Sequence, residues 1–275
     1  MLSVTYGLAS AASWGTGDFS GGMACRRNGV VSVVIVSQTI GLGLLIALAL
    51  LLAEAVPSIE TVGLGGFAGI VGTLGLMAFY RGLARGPMGV VAPVSAIVTA
   101  VLPIMAGMLL EGLPSTAQMM GFGSGVAAVW CLSNAADGAR VHATTLGLAL
   151  AAGVGFGLFL ILLDRFSEAA ILWPLAAARL TSVSALLVFA TVAAKGRAIH
   201  IRQLPAVILA GVFDTAGNAF FALATRLGRL DISALLGSLY PAVTVLLAWL
   251  MLKEHLGRRQ WIGVLLAIAA LALIA

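Results

Sequence analysis

Ionisable residues are so sparse along this chain that runs of twenty or more residues pass with hardly a charge, and no water-facing fold is built from such runs. Asp, Glu, Lys and Arg make up 9% of 275 residues, against about a quarter in a soluble domain. Hydrophobic residues make up 61%, and the mean hydropathy is +1.12. The solvent is therefore a bilayer. Bounded by charges, Gly or Pro, the apolar runs predict ten spanning helices at about 4–23, 30–53, 61–83, 88–110, 116–133, 144–163, 169–193, 205–226, 232–252 and 259–275. Ten spans of about 20 residues use up the chain, which excludes a tethered soluble enzyme domain. The first run begins at Leu2 without a basic leader or an A-x-A site, so it is expected to be retained rather than cleaved.

Two halves repeat one another. Gly7 to Phe19 aligns with Gly147 to Phe159 at an offset of 140, with 8 of 13 residues identical. Gly69, Thr73, Gly75 and Phe79 fall on Gly211, Thr215, Gly217 and Phe221 at an offset of 142. Glu111, Gln118 and Gly121 answer Glu254, Gln260 and Gly263 with one residue of slippage. The expected domains are a five-helix repeat over 1–133, a connecting loop over 134–143 and a second repeat over 144–275. Because five is odd, the second copy enters the membrane from the opposite side, so the repeats are inverted.

The net charge of +5 invites a nucleic-acid partner, but the bases are scattered over loops rather than gathered into a stripe. They bear on orientation instead: connections after odd-numbered spans hold 11 Lys and Arg, those on the other side 3, and the positive-inside rule then puts both termini outside the cytoplasm. Glycines at small-xxx-small spacing, such as Gly65 with Gly69 and Gly153 with Gly157, predict close helix packing rather than phosphate loops. Cys25 and Cys131 have neither metal-ligand spacing nor a disulfide framework, and His142, His200 and His255 lie singly in loops. No metal and no cofactor is expected, and no nucleotide loop for ATP-driven pumping is found.

A charge at the bilayer centre costs about 2.5–3.5 kcal/mol on insertion scales, so each one calls for a partner or a wet cavity. Arg179 falls near the middle of span 7 and Asp214 near the middle of span 8, where they are expected to meet as an ion pair, a shared substrate or proton site, or both. At an offset of 141 Arg179 falls on Gln38, and Asn218 lies one turn beyond Asp214. Span 1 carries Tyr6, Ser10, Trp14 and Asp18 at four-residue steps, a polar stripe that should face protein or water. Asp18 could alternatively join Arg26 and Arg27 in an interfacial cluster. Trp14 and Tyr80 are candidates to flank a substrate or to pack. Glu111 and Glu254 end spans 4 and 9, as ordinary terminal carboxylates. Pro93, Pro103, Pro174 and Pro241 fall inside spans as kinks or hinges.

The chain resembles the EamA-type permeases of the drug/metabolite transporter superfamily over essentially its whole length. The resemblance rests on Trp14-Gly15 through Asp18-Phe19 and Gly21-Gly22 to Arg26-Arg27, on Val91-Ala92-Pro93 with Leu102-Pro103 and Glu111, and on Ser238-Leu239-Tyr240-Pro241 with Glu254. It implies two inverted five-helix bundles in which spans 1–4 and 6–9 line a central cavity while 5 and 10 are peripheral. It also implies cytoplasmic termini, against the charge count, and a bacterial cytoplasmic membrane.

The expected function is secondary transport of a small polar metabolite, an amino acid or related compound or a drug-like one, with or without proton coupling. Arg179 would hold an anionic group, Asp214 would balance it or carry a proton, and Gln38 and Asn218 would orient the ligand. One alternative is an intramembrane aspartyl protease using Asp18 and Asp214, since Gly15-Thr16-Gly17-Asp18 spells G-x-G-D; Phe213 stands where that family has tyrosine, and its Pro-Ala-Leu motif is absent. The other is a non-transporting scaffold. The partners expected are lipid, the substrate and protons, with a monomer and a homodimer both open.

Overall fold

The computed structural model describes residues 1–25, 28–85, 88–133, 143–192, 201–252 and 257–274. The helices are α1 (Leu2–Cys25), α2 (Val30–Leu51), α3 (Ile59–Arg85), α4 (Met88–Glu111), α5 (Thr116–Ser133), α6 (Ala143–Ser167), α7 (Leu172–Val192), α8 (Leu204–Arg226), α9 (Leu230–Ser238), α10 (Tyr240–Leu252) and α11 (Arg258–Ile274). No strand occurs among the described residues. This is the all-helical outcome the hydropathy requires, because lipid satisfies no backbone group and a helix satisfies its own.

Among the described residues 7 stretches are long and apolar enough to cross a membrane: α2, most of α3 and α4, α6, α7, α8, and α9 with α10 taken together. The protein is thus an integral, multi-pass membrane protein. Helices α1, α5 and α11 occupy the other expected spans and are not among the 7. Ser, Thr and Gly residues with Asp18 dilute α1, while α11 opens on Arg258 and Arg259 and has 17 residues.

Span 9 is broken at Leu239. Pro241, which has no backbone N–H, falls in the first turn of α10, and the chain crosses the break on short bonds from the Leu239 and Ala242 amides to the Leu236 and Leu239 carbonyls (3.2 and 2.9 Å). Pro103 leaves α4 continuous, and Pro174 lies in the first turn of α7, where no helical bond is lost. Helix α5 starts on a capping box in which the Ser115 amide donates to Gln118 Oε1 (2.9 Å) and the Gln118 amide to Ser115 Oγ (3.3 Å).

Helices of one half pack mainly on helices of the other. α1 lies along α8 and α3 along α6; α2 and α3 both pack on α7, α2 also on α8, and α5 pairs with α11. Small residues permit these approaches. Gly69 backs onto the Ala178 carbonyl, and 142 residues later Gly211 backs onto the Ser37 carbonyl. Outward faces carry exposed Leu50, Leu109, Val188, Leu250 and Leu265, as a lipid-facing surface must.

Candidate functional site

The α2, α3 and α7 contact positions Arg179. Gly69 and the alanines before Arg179 bring α3 and α7 close, Thr181 Oγ1 donates to the Gly66 carbonyl (2.9 Å), and the buried hydroxyls of Thr73 and Ser182 share a hydrogen bond of 2.7 Å. Arg179 is thereby fixed at 7% exposure, and its Nη2 donates to Asp214 Oδ2. Helices α7 and α8 hardly touch, so the pair reaches across a gap between helices rather than along a packed seam. The Asp214 side chain is 46% exposed, and a cavity of about 570 Å³ lies against it.

Residues from α1, α2, α3, α4, α6, α7, α8 and α10 line that cavity, and among the described residues none comes from α5 or α11. The lining arrangement is the one the resemblance implied. Arg179, Asp214, Gln38, Asn218, Asp18 and Trp14 all face the same space. The side chain of Tyr80 lies outside the described residues, as do Glu254, Arg26, Arg27 and the three histidines. Among the described residues no three His, Cys, Asp or Glu side chains come together to hold a metal ion.

The span 1 stripe faces α8. Tyr6 stacks on Phe220 with centroids 6.1 Å apart, Ser10 Oγ donates to the Gly217 carbonyl (2.9 Å), and the Trp14 indole lies so close over Gly217 that a Cβ there would meet Nε1 at 2.6 Å. One turn on, Gly17 packs against the Asp214 amide, which puts Asp18 beside Asp214 at the cavity wall. Asp18 has no ion-pair partner among the described residues. Two carboxylates and one guanidinium therefore share the cavity.

Two buried polar atoms, Gln38 Oε1 and Thr215 Oγ1, have no hydrogen-bond partner among the described residues. Thr215 sits where its repeat counterpart Thr73 bonds Ser182; Gly41 occupies the position matching Ser182 and offers no hydroxyl. Buried polar atoms normally find partners, so Gln38, a residue of the cavity lining, carries an acceptor whose hydrogen bond is unfilled among the described residues.

The rest of the wall is largely apolar. Trp14 meets Tyr240 edge-on at 6.4 Å, Phe79 meets Phe156 edge-on at 6.0 Å, and Phe159 and Leu76 also line the space. Sequence reasoning did not single out Tyr240, Phe156 or Phe159 as site residues, nor the hydroxyls of Ser95, Thr99, Ser182 and Thr244. Glu111 stays off the cavity, as expected of a terminal carboxylate, and accepts from the Leu230 amide (2.9 Å).

The family model described as "EamA-like transporter family" matches residues 1–134 and again 143–275. The comparison with curated proteins finds no match. Among solved structures 28 chains match. One of them, a crystal structure, has a TM-score of 0.82 at 18% identity, over 98% of this chain and 95% of its own. At that identity the likeness speaks for the fold alone.

Proposed function

The chain belongs to the EamA-like transporter family, a family of membrane transporters, and on that premise we propose that it moves a small polar metabolite by alternating access. The moving parts are the two five-helix halves, inverted with respect to one another, with the substrate bound between them. The exchange of contacts between halves and the separate match of each half to the family model support that division. The observation that carries the assignment is the Arg179–Asp214 pair, set across a gap between helices at the wall of a cavity to which eight helices contribute.

Arg179 offers its guanidinium to an anionic group, and Asp214 balances its charge while the site is unloaded. A substrate carboxylate competes with Asp214 for the same donors, so binding displaces one carboxylate by another instead of burying a bare charge. Asp18 is the second carboxylate of the cavity and serves a cationic group or a coupled proton. Gln38 Oε1 takes a donor from the ligand, Asn218 adds a second polar contact, and Trp14 with Tyr240 supplies flat apolar surface for its body.

Hydrolysis is the poorer fit. An aspartyl protease needs two carboxylates sharing a proton, whereas Asp214 already spends its charge on Arg179.

The test compares metabolites inside and outside cells overproducing the protein with those of empty-vector cells. Redistribution of a polar compound is the expected result; no redistribution across a broad panel supports the scaffold instead. Gln38→Leu should then raise KM for that compound about 2- to 10-fold with kcat little changed, since one neutral hydrogen bond contributes about 0.5–1.5 kcal/mol. An unaltered KM would remove Gln38 from the site.

A further inference from the structure

Resting on the transporter reading, we propose that Glu54 and Glu111 are two latches of a gate at one face of the membrane. Each pins the start of a second-half helix to the end of a first-half helix or the turn just after it.

Cross-contacts define the face. Ser3 Oγ donates to the Ala224 carbonyl near the end of α8 (2.9 Å), and Ser167 and Thr225 pair their hydroxyls at 3.4 Å near the ends of α6 and α8. Arg229, in the turn between α8 and α9, donates to the Gly112 and Glu111 carbonyls at 2.6 and 3.1 Å. The start of α1 and the turns after α2, α4, α6 and α8 thus share one side.

The first latch is dense. Glu54 follows α2, and its carboxylate accepts from the amides of Ile171 (3.0 Å), Leu172 (3.0 and 3.2 Å) and Trp173 (3.0 Å), while Trp173 Nε1 donates to the Glu54 carbonyl (3.0 Å). These amides open α7, where N–H groups have no helical partner and a negative charge is favoured. At the repeat offset of 141 Glu54 falls on Lys195, so the duplication does not account for it.

The second latch is Glu111 at the end of α4. Its carboxylate accepts from the Leu230 amide at 2.9 and 3.2 Å and lies 3.8 Å from Arg229 Nε. Arg229 is held in turn by Asp231 at 2.7 and 3.0 Å, and that bond raises the guanidinium pKa further above its ordinary value.

Both latches control helices that carry the cavity. Leu175, one turn inside the first, lines it, and Arg179 lies one turn deeper. The helix that starts at the second latch leads through the break at Leu239 to Tyr240. Access from this face requires α7 and α9 to part from these first-half segments, and each carboxylate must then lose its amide donors. Gln keeps the shape but not the charge, so it weakens a latch without removing it.

The experiment reads accessibility, not transport. In a Cys25→Ser/Cys131→Ser background, Leu175→Cys reports on the cavity near the latched face, and Ser95→Cys reports on it nearer the opposite ends of the helices. An impermeant maleimide is applied to vesicles of each orientation. Glu54→Gln and Glu111→Gln should each speed labelling of Leu175→Cys from the latched face on the order of 10-fold, and slow labelling of Ser95→Cys from the other. The exposed Glu60→Gln, on the same face, should change neither. Unchanged rates overturn the gate, and so does acceleration at both positions, which signals general loosening. A protein that shows the reciprocal shift yet moves no metabolite keeps the gate and loses the transporter assignment.

Discussion

Arg179→Ala is expected to reduce transport at least about 100-fold while the protein still inserts at wild-type levels, because two charge-assisted hydrogen bonds at about 1.5–3 kcal/mol each are lost from the substrate. Arg179→Lys should fall between, since an ammonium keeps the charge but not the planar fork that matches a carboxylate. The structural alternative makes a different prediction. If Arg179 only neutralises Asp214, then removing both charges in Arg179→Ala/Asp214→Asn should restore transport together with stability.

On the site assignment, the double variant recovers thermal stability and remains inactive. The stability loss in the single variant should fall below the about 3–5 kcal/mol typical of a broken buried pair, because the half-exposed Asp214 side chain regains water. Uptake or efflux of the identified compound, measured beside melting of the detergent-purified variants, separates the two. Transport restored in the double variant would sink the substrate role.

The ion pair was legible because charge inside a membrane is costly, so two isolated charges at one depth stand out against an apolar background. The repeat then pointed to Gln38, and four-residue spacing pointed to Trp14 and Asp18, whose helix does turn that stripe onto α8. What the sequence hid was hidden for physical reasons. Thr99 and Thr244 each bond the carbonyl four residues back, at 2.8 and 3.2 Å, as Thr does in any membrane helix, so nothing in their spacing marks a cavity wall. Glu54 reads as a loop residue, since its partners are about 118 positions away along the chain. Tyr240 sat inside a recognisable motif, but the helix break that places it at the cavity follows from where Pro241 falls, and other prolines at similar depth break nothing.

The glycine spacing states which helices approach closely, and a substitution series tests it where glycine meets glycine across two helices. A Cβ on Gly155 would sit 2.6 Å from Gly75 Cα and 2.9 Å from its amide nitrogen; one on Gly75 would meet the Ala152 carbonyl at 3.1 Å. These neighbours are backbone, which cannot rotate aside, so α3 and α6 must separate to admit a methyl group. Gly155→Ala is therefore expected to destabilise by about 1–3 kcal/mol through overpacking, outweighing the about 0.5–1 kcal/mol that alanine gains over glycine in a helix. Gly147 lies on the same helix with nothing within 4 Å of the added carbon, and there the helix gain stands alone. Gly147→Ala should melt at or slightly above the wild type, and Gly155→Ala several degrees below it. Gly155→Leu should go further and disable transport, because pushing α3 from α6 parts the Phe79 and Phe156 rings at the cavity wall. If Gly155→Ala melts like Gly147→Ala, the two backbones do not cross in contact, and the packing of α3 on α6 needs another explanation.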